Sequence, residues 1–192
     1  MKRRVWSFIC VVAVAAIGLP VFVDLPTKII WNASPSAPIG FYEVRSVDQP
    51  RVSELVVVDP PEALERFILA RGYLPPDIPL LKRVVALPGQ TVCRLDRTIT
   101  VDGARMGTAL ERDSFGRPMP VWRGCHRIAA GEVFLMNRDA QNSLDGRYFG
   151  PIPASSITGR AVPLWTDEYG SGRPDGAPRP DEQRVKPPSN AN

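Results

Sequence analysis

Histidine is almost absent from this sequence, since His126 is the only one among 192 residues. A serine peptidase triad of the familiar kind uses a histidine as its base, so that role would fall on this one residue. The three cysteines form no C-x-x-C pair, and with a single histidine they offer no zinc site. We therefore expect no metal and no other cofactor.

A strong excess of charge is also missing. The formal net charge of +4 falls to about +1 when Lys2, Arg3 and Arg4 are set aside. Proteins that bind nucleic acid usually carry a clear basic bias, so nucleic acid is not an expected partner. With 44% apolar residues, the chain is long enough for one sizeable core rather than for two full domains.

The longest uncharged stretch covers residues 5–23 and is mostly apolar. A helix of this length is about as long as the hydrocarbon core of a bilayer is thick. We predict a transmembrane anchor at 5–23, a cytoplasmic N-terminus at 1–4 because of its basic residues, and an extracytoplasmic remainder. A cleaved signal peptide is the alternative, because Ala13, Val14 and Ala15 resemble a cleavage site.

Cys93 and Cys125 both lie in the part of the chain that is predicted to be in an oxidising compartment, whereas Cys10 lies in the apolar stretch. We predict a disulfide between Cys93 and Cys125, with two free thiols as the alternative. Closing a loop of about 33 residues would stabilise the fold by roughly 3–4 kcal/mol on the chain-entropy model.

The rest of the chain reads as short strands rich in Val, Ile, Thr and aromatic residues, separated by turn residues. One helix is predicted at Pro61–Arg71 and is expected to be a surface insertion. These patterns indicate a mainly β domain over 24–165, followed by a disordered polar tail over 166–192 that is rich in Pro, Gly and charge. The predicted strands are 41–47, 54–58, 80–87, 91–95, 99–102, 132–137 and 156–165.

Two short motifs suggest the chemistry. Ser36 lies in N-A-S-P-S-A-P-I-G, and Lys82 lies in L-L-K-R-V-V-A-L-P-G. A serine hydroxyl needs a base, and a lysine serves only when burial lowers its pKa toward 7 or 8. Strand alternation places Lys82 on one face with Leu80 and Val84, which fits burial. The plainer alternatives are a turn serine in a Pro-rich loop and a lysine that faces solvent.

Four segments together resemble the type I signal peptidase superfamily, and specifically its TraF-like conjugative-transfer branch. They are N-A-S-P-S-A-P-I-G-F-Y, P-L-L-K-R-V-V-A-L-P-G, D-S-F-G-R-P-M-P with the following Trp122 and Cys125, and N-S-L-D-G-R-Y-F-G-P-I. The resemblance covers roughly 27–163. It implies a complex β fold of the signal-peptidase and LexA type with a short helical insertion, behind one transmembrane helix at the bacterial inner membrane, with the catalytic domain in the periplasm.

The resemblance also implies roles for individual residues. Ser36 would be the nucleophile, Lys82 the general base and Asp145 a third catalytic member. The oxyanion would be bound by the Ser36 N–H and the Ser34 hydroxyl, although Ser34 also suits an ordinary turn hydrogen bond.

An extended backbone would point three residues of the last motif the same way, so a supporting polar cluster is expected there. The alternative is a surface loop with a weak salt bridge. The three residues are Ser143, Asp145 and Arg147.

Three positions depart from the broader signal peptidase pattern: Ala37 replaces a common methionine, Gln90 an acidic residue, and Gly146 a serine. Ala37 and Gly146 are compatible with the TraF-like branch, and Gln90 puts only the turn geometry in doubt.

The expected function is a membrane-anchored serine endopeptidase that cleaves a conjugative pilin precursor at the periplasmic face, with head-to-tail cyclisation as a second outcome of the same acyl transfer. The expected partners are this or another membrane-associated protein substrate, the inner membrane, and components of a type IV secretion or conjugation apparatus. Two alternatives stay open. One is a general signal peptidase for exported proteins, and the other is a non-catalytic periplasmic module of a transfer apparatus.

Overall fold

The structure is a computed structural model that describes residues 5–6, 8–10, 12–14 and 29–167. The described residues before 15 have helical backbone. Within the described part of the chain, no helix is long and apolar enough to cross a membrane. Most of the predicted anchor at 5–23, and the predicted tail from residue 168 onward, lie outside the described residues.

The described domain is mainly β, as predicted. It contains eleven strands, two short α-helices and one 3-10 turn. The strands are β1 (Ile29–Asn32), β2 (Gly40–Arg45), β3 (Leu55–Val58), β4 (Leu80–Ala86), β5 (Thr91–Leu95), β6 (Thr98–Val101), β7 (Ala104–Thr108), β8 (Gly124–Arg127), β9 (Glu132–Leu135), β10 (Ile152–Pro153) and β11 (Ile157–Thr166). The helices are α1 (Glu62–Ala70) and α2 (Gly146–Phe149), and the 3-10 turn is Ala154–Ser156.

The strands form two antiparallel sheets. The large sheet has the order β1-β2-β11-β3-β4-β9-β10, and the small sheet has the order β7-β6-β5-β8. Chain segments that are far apart in sequence meet in the large sheet, since β11 lies between β2 and β3. The motifs around Ser36 and Lys82 are therefore brought into one sheet by a strand from the end of the domain.

Both faces of the large sheet are buried at its central strands β3 and β4. Along β3 and β4, alternate residues belong to two different cores, as the two-residue period of a strand requires. Val56, Val58, Leu80 and Val84 lie in one core, and Leu55, Val57 and Leu81 lie in the other. A third core joins Val85, Ala86, Phe134 and Met136 to Val92, Ile99 and Val101 of the small sheet.

Helix α1 lies within the predicted range Pro61–Arg71, but the expectation of a surface insertion is wrong. Leu64 and Ile68 are 8% and 3% exposed and belong to the same core as Val56. The spacing of four residues puts both side chains on one side of the helix, and that side covers the sheet.

The predicted disulfide is present. Cys93 on β5 and Cys125 on β8 face each other in register and are bonded. The last strand reaches Thr166, which was predicted to be the first residue of the polar tail, and Thr166 is buried. A covalent link thus joins β5 to β8 in the small sheet. The large sheet extends slightly further than the sequence pattern indicated.

Candidate active site

Ser36 lies in the loop that connects β1 to β2, and the side chain of Asn32 shapes this loop. Asn32 is 6% exposed, and its Nδ2 donates to the carbonyls of Ser34, Ala37 and Pro38 at 2.9, 3.0 and 2.9 Å. Its Oδ1 accepts the Ser34 N–H at 3.1 Å. One amide therefore replaces the backbone hydrogen bonds that a regular hairpin turn would make.

Ser36 and Ser34 lie side by side within this loop. Their Oγ atoms are 3.0 Å apart, and the Ser36 N–H donates to Ser34 Oγ at 3.3 Å. These are the two groups that the resemblance assigns to an oxyanion hole. In the free protein they bond to each other, so a bound substrate would have to compete for them.

Lys82 lies in the middle of β4 and is 6% exposed. The alternation predicted from the sequence is present, because Leu80 and Val84 on either side belong to one buried core. Burial lowers the pKa of Lys82 to about 8, while the nearby Asp145 carboxylate acts in the opposite direction and Arg147 reinforces the decrease. About a tenth of the Lys82 side chains are thus neutral at pH 7, far more than at the ordinary lysine pKa.

The Lys82 Nζ donates to Ser143 Oγ at 3.0 Å, and Ser143 is itself 2% exposed. Among residues 29–167, no hydrogen bond joins Ser36 to Lys82 directly. Ser36 lines a cleft of about 470 Å³ together with Asn142, the neighbour of Ser143, and Lys82 is not among the described residues that line it.

Asp145 and Arg147 form a buried ion pair that is 2.8 Å long, with both side chains at most 1% exposed. The Asp145 carboxylate also accepts the backbone N–H groups of Asn137 and Arg147, both at 3.1 Å. The remaining donors of Arg147 are directed to the carbonyls of Asn137, Ala140 and Gln141. This network fixes the segment that carries Ser143.

The prediction that this segment is extended is wrong. Asp145 is the N-cap of α2, and its side chain accepts the Arg147 N–H as a helix cap does. Ser143, Asp145 and Arg147 are all buried close to Lys82, but a turn and a helix start bring them together in place of strand alternation. The glycine at 146 is required by packing, since a Cβ there would lie 2.7 Å from the Leu135 carbonyl oxygen.

Asn137 is a site residue that the sequence reasoning placed only at the end of a strand. Its Nδ2 donates to the Leu81 carbonyl at 3.0 Å, and its Oδ1 accepts the Arg83 N–H at 2.9 Å. It therefore holds β4 on both sides of Lys82. An asparagine that directly follows an apolar strand is the only signal in the sequence that pointed to it.

Gly40 ends the loop that carries Ser36 and begins β2. A Cβ at this position would overlap the backbone of Trp165 and Thr166, so the glycine permits close contact between β2 and β11. Gly40 thus allows the β1–β2 loop to pack closely against β11 of the sheet.

A family model described as "Signal peptidase, peptidase S26" matches residues 2–165. This range includes the loop that carries Ser36, the strand that carries Lys82 and the segment that carries Asp145. The chain belongs to the signal peptidase S26 family. The resemblance that was drawn from four short motifs is thereby confirmed.

Three relatives show how this S26 chain compares with known proteins. It is 37% identical over 145 residues to the probable conjugal transfer protein TraF of Sinorhizobium fredii, covering 70% of this chain and 76% of that protein. It is 39% identical over 145 residues to the conjugal transfer protein TraF of Agrobacterium fabrum, covering 70% and 81%. It is 33% identical over 115 residues to the probable signal peptidase I-1 of a Synechocystis species, covering 59% of this chain and 53% of that protein.

Proposed function

We propose that this S26 chain is a membrane-anchored serine endopeptidase with Ser36 as nucleophile and Lys82 as general base. The observation that supports it most is a buried lysine whose pKa is lowered to about 8 and whose Nζ contacts only a neutral hydroxyl, that of Ser143. Among residues 29–167 the amine has no ion pair with a carboxylate to keep it charged. A neutral amine can accept the proton of a serine hydroxyl.

In the proposed mechanism, Ser36 Oγ leaves its contact with Ser34 Oγ, gives its proton to Lys82 Nζ and bonds to the carbonyl carbon of the substrate. The developing oxyanion accepts hydrogen bonds from the Ser36 N–H and the Ser34 hydroxyl. Lys82 then protonates the leaving amine. The acyl group passes to water in hydrolysis, or to a second amine in cyclisation.

Two hydrogen bonds of the free protein must change for this step, namely Ser36 with Ser34 and Lys82 with Ser143. Catalytic hydrogen bonds are often loose in free enzymes and tighten only when substrate binds. Asp145 would act as a positioning residue, because its carboxylate is already occupied by Arg147 and by the Asn137 N–H.

The proposed substrate is a conjugative pilin precursor at the periplasmic face of the inner membrane. Two relatives that match 70% of this chain are named as conjugal transfer proteins, which supports a peptidase role in conjugation. The TraF-like resemblance supplies the pilin as the substrate class and the conjugation apparatus as the partner. The predicted anchor at 5–23 would hold the enzyme beside a membrane-associated substrate.

The test is mass spectrometry of candidate pilin precursors that are co-expressed with the wild type, with Ser36→Ala and with Lys82→Ala. We expect a shortened product only with the wild type, because each variant removes one partner of the proton transfer. A product that is lighter by one further water indicates ring closure. Processing by Ser36→Ala would contradict the mechanism, and an unchanged precursor with the wild type would exclude pilin.

A general signal peptidase for exported proteins is the second candidate. The relative named probable signal peptidase I-1 favours it, although the chain spans only about half of that protein's length. The same co-expression experiment distinguishes the two candidate functions, because a general enzyme would also shorten exported proteins unrelated to conjugation. A non-catalytic module would leave every precursor intact.

A further inference from the structure

A second cleft, of about 370 Å³, adjoins the cleft that contains Ser36. Pro38 and Arg83 line both of them, so the two clefts are adjacent. The second cleft is further lined by Arg45 on β2 and Arg160 on β11. Three guanidinium groups from three strands therefore surround one cavity next to the nucleophile loop.

Positive charge is only partly balanced around this cleft. Arg45 pairs with Glu43 at 2.7 Å, and Arg160 pairs with Glu54 at 3.0 Å. Within residues 29–167, no carboxylate forms an ion pair with Arg83, whose guanidinium donates to the Ser53 carbonyl at 3.2 Å. Among the described residues that line this cleft, Glu54 is the only acidic one, against three arginines.

The strand register concentrates this charge. Arg45 and Arg160 are directly opposite each other in the pairing of β2 with β11. Like charges in directly opposite positions destabilise a sheet, and here Glu43 and Glu54 each pair with one of the two arginines. Thr166 lines the same cavity, and its buried Oγ1 has no hydrogen-bond partner among the described residues.

We infer that this arginine cleft binds a carboxylate of the peptide substrate while Ser36 attacks the scissile bond. The inference rests on the proposed peptidase function. A guanidinium fork matches a carboxylate in shape and charge. Because this cleft is adjacent to the Ser36 cleft, an extended peptide bound at Ser36 would place a residue only a few positions away near the arginines. The carboxylate belongs either to an Asp or Glu side chain or to the C-terminus of the substrate.

The experiment compares peptides of one cleavable sequence with the full-length enzyme in detergent. One peptide has a Glu within four residues of the scissile bond and a free C-terminus, a second has Gln in place of Glu, and a third keeps Glu but has an amidated C-terminus. We expect kcat/KM of the wild type to fall about tenfold for the peptide that lacks the recognised carboxylate, since a charged hydrogen bond is lost. The second and third peptides distinguish the two sources.

Arg83→Gln is the main variant, because it leaves no acidic residue of the cleft without its partner. It should lose about tenfold in kcat/KM on the recognised peptide and little on the peptide without that carboxylate. Arg160→Gln should act in the same direction. Arg66→Gln is the matched control, since Arg66 lies on the exposed side of α1 and pairs only with Glu62 there; we expect no change in peptide preference.

Two results would overturn the inference: equal kcat/KM of the wild type for all three peptides, or an equal loss on all three in Arg83→Gln. The peptidase function would survive both, provided that cleavage still requires Ser36. If the wild type cleaves no peptide, the affinities of the Ser36→Ala variant for the three peptides are measured and compared in place of kcat/KM. A carboxylate-dependent affinity that Arg83→Gln abolishes supports the inference, and equal affinities contradict it.

Discussion

Lys82 is the residue at which burial, electrostatics and the proposed chemistry meet. It sits in a strand between apolar residues, and its amine is satisfied by a hydroxyl in place of a carboxylate. Desolvation disfavours the charged form and brings the pKa from 10.5 down to about 8. The same burial that would make a lysine a useful base also makes it a burden on the stability of the fold.

The pH dependence of stability tests this directly. Because the folded pKa is below the unfolded one, the unfolded chain binds more protons between pH 8 and 10.5, and the free energy of unfolding rises with pH through that window. Across this window, the Lys82 amine should raise the free energy of unfolding by about 3 kcal/mol in total. Lys82→Met should remove the rise and be more stable than the wild type at pH 7, as measured by urea unfolding.

Lys186→Met is the control for this prediction, because Lys186 lies in the predicted polar tail. It should keep the wild-type dependence on pH. The same pKa should govern peptidase activity of the wild type, which is expected to rise with pH through about 8. A pH slope of stability that is identical in the wild type and Lys82→Met would contradict a depressed lysine pKa.

In the loop between β1 and β2, a single side chain organises the local structure around the candidate nucleophile. The motif contains two prolines and one glycine, but the side-chain hydrogen bonds that hold the loop come from Asn32, at the end of β1. The loop carbonyls of Ser34, Ala37 and Pro38 have this amide as a common donor. Ser36 lies between two of them, so its position follows from Asn32.

Asn32→Ala should therefore affect turnover more than substrate binding. We expect kcat to fall about a hundredfold, as a displacement near 1 Å can cause, while KM changes little. Stability should fall by about 1–3 kcal/mol because the Ala37 carbonyl loses its side-chain donor and the Ser34 and Pro38 carbonyls each lose one of two donors. Steady-state kinetics and urea unfolding measure both effects.

Thr158→Val is the matched control for the Asn32 variant. Thr158 Oγ1 also donates to a backbone carbonyl, that of Val57 at 3.3 Å, but it lies on β11 and outside the nucleophile loop. It should lower stability without lowering kcat. If Asn32→Ala retains the wild-type kcat while folded, the loop is positioned by other means.

At the scale of the whole molecule, the small sheet supports the segment that contains Asp145. Arg94 on β5 is 2% exposed, and its guanidinium donates to the Arg147 carbonyl at 2.6 Å and to the Pro120 carbonyl at 3.2 Å. Trp122 donates to the Gly146 carbonyl at 3.0 Å. Helix α2 is thus anchored from the second sheet, although its charged network belongs to the first.

Arg94→Met should weaken both the fold and the site. We expect a loss of about 2–3 kcal/mol in unfolding free energy, since the variant leaves buried carbonyls without a charged donor. Peptidase activity at a temperature where the variant is folded should also fall, because Ser143 and Asp145 lose their support. Arg105→Met on β7, where the arginine is exposed and bonds only Thr108, should change neither measurement. Full activity in folded Arg94→Met would refute the coupling of the two sheets.

Much of the β architecture could be predicted, because alternation and turn residues are local signals. The strands at 80–86 and 91–95 and the helix α1 lie where the patterns placed them. The strands β1, β7, β8 and β10 were missed. In β8 every residue is exposed, so no apolar alternation marks it, and in β7 a glycine and an arginine interrupt the pattern.

By itself the sequence determined the family, the mainly β class, the pairing of Cys93 with Cys125 and the burial of Lys82, because motif order and strand periodicity are properties of the chain alone. Only the tertiary structure decided the partners: Ser143 for Lys82, Asn137 for both neighbours of Lys82, and Arg94 for α2. These contacts join positions that are 53 to 61 residues apart. Their geometry depends on how sheets and loops pack, which no local pattern encodes.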